Sequence, residues 1–179
     1  MLKTLKIQWI KLRLPIVIGA GLVMSLGLNA PTMSQSPIQV PQLSQSAYSN
    51  LGQLRINQRL WNRQNISNYR YTLTRSCFCT TEARGPVIIE VRNGRTASVT
   101  SVATGQPVNP ELFQKYDTIP RLFGVIRDAI AKKASSLSVQ YNSTLGSTLG
   151  YPTQINIDYD SQMADEELYL TIENLEVIN

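Results

Sequence analysis

Downstream of Tyr69 the chain alternates apolar and polar residues with a period of two in five separate stretches, the spacing of strands that bury one side only. The first is Tyr69–Cys79, where Tyr69, Tyr71, Leu73, Arg75, Cys77 and Cys79 share the side read as mostly inward. Val87–Arg92 follows with Val87, Ile89 and Val91 on one side, and a further strand is expected over Arg95–Val102. Later come Leu137–Tyr141, Gln154–Asp160 and Leu168–Leu175. They would bury Leu137, Val139 and Tyr141, then Ile155, Ile157 and Tyr159, then Leu168, Leu170 and Ile172. One-sided strands predict an antiparallel sheet with one open face.

Two segments carry the helical period instead. Residues 49–64 place Leu51, Leu54, Leu60 and Trp61 in a rough stripe, with Arg55, Arg59 and Arg63 outside it. Ile119–Ala134 is the clearer helix: Thr118 stands as its N-cap, Pro120 lies in its first turn, and Ile119, Leu122, Phe123, Ile126, Ala129 and Ile130 share a face. Between Val91 and Thr96 a tight turn is expected. A three-residue loop Arg92-Asn93-Gly94 sets Ile89 opposite Ala97 and Val87 opposite Val99. It keeps one face apolar, whereas a two-residue loop Asn93-Gly94 sets Ile89 opposite Ser98; the three-residue loop is therefore expected. The resulting fold class is α+β, an antiparallel sheet of about six strands with two helices packed on one face, in the order helix, three strands, helix, three strands. The order hints at a doubled unit, although the halves share no matching residues.

The N-terminus has a different pattern. Thirteen residues holding Lys3, Lys6, Lys11 and Arg13 precede an uncharged run of 15, Leu14–Leu28. That is the length of a secretory h-region and short for a membrane span of about 20 residues. Residues 1–30 thus read as a signal peptide, or, because the basic region is itself apolar, as a retained N-terminal membrane anchor. Both leave the basic residues inside and the rest of the chain exported, periplasmic or secreted. Residues 31–47 are uncharged and rich in Pro, Ser and Gln, a flexible linker, and 48–179 form a single domain. An exact duplication, STLGSTLG, fills residues 143–150 and reads as a surface-loop length change.

Charge adds an exclusion. The net +5 comes mostly from the four leader cations, since the remainder holds 13 basic and 12 acidic side chains. From residue 134 onward there are seven carboxylates and no Lys or Arg. A basic stripe for nucleic acid is therefore not expected. The chain has no histidine, which removes histidine general bases, Ser-His and Cys-His dyads and His-containing metal sites. No glycine-rich phosphate loop is present and no cofactor is implied.

Several short motifs occur in a fixed order: Trp61, Tyr69-x-Tyr71, Cys77-x-Cys79, Pro86-Val87, Thr118-Ile119 with Leu122-Phe123, Gly150-Tyr151-Pro152, Ile155-x-Ile157-Asp158, and Ala164-Asp165-Glu166-Glu167. The series resembles an uncharacterised bacterial family of exported or lipid-anchored proteins, domain of unknown function 6174, over about residues 50–176. The resemblance implies an exported single domain and brings no activity, ligand or catalytic residue. The doubled STLG departs from it as a small insertion.

Two sets of residues are candidates for chemistry. Cys77 and Cys79 lie two apart on a strand, facing the same way, with α-carbons near the upper limit for a disulfide of about 6.8 Å; a local bend would close a small ring. In an oxidising compartment the pair reads as a structural clamp, as a thiol-redox pair, as a two-thiolate metal site, or as half of an intermolecular bridge, with Arg75 and Arg84 as nearby cations. Asp158, Asp160, Asp165, Glu166 and Glu167 form an acidic patch suited to a cation or a partner. It lacks the EF-hand pattern, because Met163 stands where glycine and Tyr169 where glutamate is required. Asp158, Asp160, Glu167 and Glu173 are expected on the open sheet face, opposite Arg70. The reading is a non-catalytic cell-envelope interaction module that meets an unknown envelope protein or ligand, touching membrane only through an uncleaved leader. The alternative is a thiol-redox or metal-handling protein built on Cys77 and Cys79.

Overall fold

The computed structural model describes residues 45–142, 148–163 and 165–179. The leader 1–30, the linker up to residue 44 and the first five residues of the doubled loop lie outside the described residues. The elements in chain order are α1 (Gln45–Arg63), β1 (Tyr69–Ser76), a one-turn α2 (Thr81–Arg84), β2 (Val87–Arg92), β3 (Arg95–Ser101), a 3₁₀ turn (Pro110–Phe113), α3 (Ile119–Ala131), β4 (Ser136–Tyr141), β5 (Pro152–Asp158) and β6 (Glu167–Val177). Every strand pair is antiparallel, and the sheet order is β3-β2-β1-β6-β5-β4. Each half is a meander, and the first and last strands join the halves at the centre of the sheet.

Alternation decides which side is roofed. Tyr69, Tyr71, Leu73, Val87, Ile89, Val91, Ile155, Ile157, Leu170 and Ile172 are at most 2% exposed and meet α1, α3 and the 3₁₀ turn. On edge strand β4 the same alternation survives, but Leu137, Val139 and Tyr141 are only half-buried. Helix α3 turns Ile119, Leu122, Phe123, Ile126 and Ala129 inward, as its stripe predicts. The Thr118 hydroxyl caps it, accepting from the Arg121 amide at 3.3 Å.

Four expectations are corrected. Helix α1 starts at Gln45, so the last three residues assigned to the linker are helical. Strand β1 ends at Ser76, before the cysteines. The β2–β3 turn has two residues, not three: Arg92 faces Arg95, and Asn93 and Gly94 both adopt positive φ (52° and 71°), the backbone of a type I′ turn. A register shift between Val91 and Glu90 then leaves Ala97 without a partner and brings Val99 opposite Ile89. The bulge, not the turn, keeps the apolar face continuous. A second break, near Asn174 in β6, puts Glu173 opposite Thr72 and Glu176 opposite Arg70. Arg70 therefore pairs with Glu176 at 2.7 Å, not with the acids expected for it.

Two tyrosines on β1 fix α3 on the sheet. The Tyr69 hydroxyl accepts from the Ile119 amide at 3.0 Å, and the Tyr71 hydroxyl donates to the Tyr116 carbonyl at 2.6 Å. Trp61 of α1 meets Tyr69 edge-on, centroids 5.3 Å apart, and Tyr151 at 6.2 Å. The loop into β5 touches α1 at Gly150, whose φ is +77° and whose missing Cβ would stand 2.6 Å from the Asn57 carbonyl oxygen and 2.7 Å from Leu60 Cβ. Both the conformation and the space admit glycine alone.

Gly150→Ala should therefore lower unfolding free energy by about 2–4 kcal/mol, read from urea denaturation of the Trp61 signal; a loss under about 0.5 kcal/mol would contradict the contact. Alkali gives a second expectation. Burial pushes Tyr69 and Tyr141 up to about 12, and Tyr71 well above its ordinary value. The folded chain thus holds these protons after the unfolded chain has released them. The stabilisation is complete below about pH 10 and falls as pH rises toward about 12. Urea midpoints at about pH 8 and pH 11 should differ, the second being lower, and equal midpoints would count against this.

Candidate functional site

The inward stripe of α3 leaves Pro120, Gly124, Asp128 and Lys132, four residues apart in turn, along one outer flank. Facing that flank is the β5–β6 connection. The Tyr159 amide donates to the Glu166 carbonyl at 3.3 Å, which narrows the connection and seats Glu166 next to Tyr159. A groove of about 1050 Å³ runs between them, lined on the helix side by Tyr116, Arg121 and Val125 and on the other by Asp165, Glu166, Glu167 and Leu168. Its floor at Gly124 is open, with nothing within 4 Å of the position a Cβ would take.

Charges in the groove are unequally committed. Arg121 is held by Asp117 at 2.6 Å and by the Gln114 carbonyl at 2.6 Å. Lys132 stands four residues after Asp128, a spacing that favours an ion pair, yet its Nζ lies over the Tyr159 ring, 5.4 Å from the centroid. The ring of Tyr116 is faced in the same manner by Arg75, at 5.4 Å. Among the described residues the ion pairs are Arg70–Glu176, Arg92–Glu90 and Arg121–Asp117. Asp128, Asp165 and Glu166 thus have no cation paired to them among the described residues. The Tyr159 hydroxyl is raised above its ordinary pKa by burial first, then by Tyr116, Asp128 and Glu166.

The five acids of the expected patch do not stay together. Asp165, Glu166 and Glu167 line the groove. Asp158 sits across from Glu167 and Ser136 at the end of β5, with one carboxylate oxygen buried and without a hydrogen-bond partner. Asp160 lies beyond β5 and accepts from the Gln162 amide at 3.0 Å within its own turn. Glu167 keeps its outward place on β6, in alternation with Tyr169 and Glu173 and across from Asp158, at the rim of the groove, whereas Asp160 lies beyond the strand on which it was expected. Among the described residues no group of three or more His, Cys, Asp or Glu is placed to hold a metal ion.

Cys77 and Cys79 are joined by a disulfide, with α-carbons 5.3 Å apart. They sit in a bend beyond β1, closed by a hydrogen bond from the Cys79 amide to the Cys77 carbonyl at 2.9 Å. The bend is what brings the α-carbons inside bridging distance, which an extended strand would not. Phe78, at the tip, is 86% exposed. Arg75 is turned away to the Leu112 carbonyl and the rings of Phe113 and Tyr116.

A family model described as Family of unknown function (DUF6174) matches residues 53–177. The chain belongs to that family. No curated protein and no solved structure matches it. In this DUF6174 domain the motifs behind the resemblance serve mostly the core: Trp61, Tyr69, Tyr71, Leu122 and Phe123 are buried, and Gly150 and Tyr151 seat the β5 entry on α1. Among the described residues of those motifs, Asp165, Glu166 and Glu167 reach the groove. Tyr116, Asp128, Lys132 and Tyr159 were not singled out as site residues from sequence. The 120–124–128–132 spacing was the available signal, and it reads equally as a solvated helix flank.

The disulfide closes a very short loop, so loop-closure entropy limits it to about 1–2 kcal/mol. Replacing both Cys77 and Cys79 by serine should lower the unfolding free energy by that amount and leave the folded far-UV spectrum unchanged. Loss of the fold would show a larger role for the bridge than its position indicates.

Proposed function

We propose that this DUF6174 domain is a non-catalytic binding module held outside the cytoplasm, in the cell envelope, and that it receives its ligand in the groove between α3 and the β5–β6 connection. The observation that carries the reading is the groove itself, with tyrosine rings on both walls and carboxylates left without ion-pair partners. Groups of that kind can hold and orient a charged ligand. Among the described residues the groove offers no serine, cysteine or histidine as nucleophile or base. The open sheet face carries mostly Thr, Asn, Gln and Ser, and its charges include the pairs Arg70–Glu176 and Arg92–Glu90, whereas the groove brings rings and unpaired carboxylates together. Export is supported by the leader and by the disulfide, a bond that persists in oxidising compartments. Among the described residues no helix is long and apolar enough to cross a membrane.

A second reading, thiol exchange, is favoured by Phe78, which projects between the bridged cysteines as an apolar contact for a partner dithiol. The two readings part in one experiment. The ¹⁵N-labelled domain is titrated with short cationic, anionic and neutral peptides, polyamines and wall-derived saccharide fragments. At least one class should shift amides of residues 114–128 and 159–168, with the disulfide intact by thiol counting. Shifts confined to the open face, or a bridge reduced by a dithiol peptide with shifts around Phe78, would sink the groove reading.

A further inference from the structure

Lys132 gives the groove a chemical preference. On an α-helix an acid and a base four residues later are neighbours that can pair, and Asp128 and Lys132, the residue that caps the end of α3, have that spacing. Here the ammonium lies over the Tyr159 ring instead, and Asp128 keeps an uncommitted carboxylate. Glu166 is tied by its own backbone to Tyr159, so that ring is bordered by carboxylates from two elements. The chain's own cations face both aromatic walls, Lys132 on Tyr159 and Arg75 on Tyr116. A flat ring bordered by anions is a cation-binding arrangement, and an alkylammonium satisfies it by resting on the ring while donating to the carboxylates. The opposite charge is poorly served. Arg121 is already engaged by Asp117 and a carbonyl, which leaves Lys115 and the ring-bound Lys132 against Asp128, Asp165 and Glu166, with Glu167 at the rim turned to Tyr169. The groove is also far larger than one ammonium group needs, and its floor at Gly124 is open, so it has room for a chain bearing the charge.

Resting on the groove reading above, we propose that the site takes a primary alkylammonium ligand, and that Lys132 is a built-in occupant which the incoming ammonium displaces from the Tyr159 ring. Displacement leaves Lys132 free to swing toward Asp128, one turn earlier on α3. The same chemistry is offered by a free polyamine and by a lysine side chain of a peptide.

The test uses the full chain, with spermidine and an acetylated, amidated Gly-Lys-Gly peptide as separate probes followed by calorimetry and amide shifts. Asp128→Asn and Tyr159→Leu should each weaken binding about 5-fold or more, whereas Lys132→Met should strengthen it about 3-fold by clearing the ring. Glu173→Gln, which removes a charge on the open face, should change neither constant. Tighter binding of spermidine assigns the groove to polyamines, and tighter binding of the peptide to lysine side chains; both support the proposal. It is overturned if neither probe binds wild type or Lys132→Met at about 5 mM, or if Glu173→Gln weakens binding as much as Asp128→Asn, which would mean diffuse attraction. It is also overturned if Lys132→Met weakens binding. Saccharide or anionic-peptide shifts in residues 114–128 with no response to ammonium would discard the ligand class and leave the binding-module reading standing.

Discussion

Two phenolic hydroxyls on one strand set the position of α3 on the roofed side of the sheet. Tyr69 accepts from the first amide of α3, and Tyr71 donates to the carbonyl three residues before that helix begins. Helix N-termini leave amides without intrahelical partners, so a buried start must find acceptors elsewhere. Thr118 supplies one from its own chain, and Tyr69 supplies another from the sheet. The helix is thus registered along its axis as well as packed, and the flank carrying Gly124, Asp128 and Lys132 is held opposite the β5–β6 connection. Shifting α3 by one turn would move that flank by about 5 Å and dismantle the groove.

Much of this was legible in the residue pattern. Alternation marked five strands and their inward sides, with a sixth expected at Arg95–Val102, and the capped, strongly one-sided segment after Thr118 marked α3. What failed was local. The Asn93-Gly94 turn was misjudged because an apolar face can be kept either by loop length or by a bulge, and the pattern around Ala97 does not distinguish them. The cysteines were placed on β1 because periodicity continues through them, although a bridge between residues two apart needs a bend. Arg70 found Glu176 because β6 breaks register near Asn174, a position that no alternation marks.

The groove was less legible than the fold, for a physical reason. Its walls come from separate segments (the 114–118 approach, the flank of α3, and residues 159–168) whose proximity is a consequence of tertiary packing. Tyr159 was read as one more inward residue of a strand; β5 in fact stops at Asp158, leaving that ring beyond the sheet. The acidic run was noticed, but its division between the groove, the end of β5 and an internal turn depends on where the strand ends.

The central seam between β1 and β6 has a consequence for how the chain matures. The earliest strand finds its long-range partner only in the final one, so an emerging chain can zip β1 to β2 and β3 yet keeps the other edge of β1 bare until the last dozen or so residues arrive. The sheet therefore closes as one piece only when β6 has docked between β1 and β5.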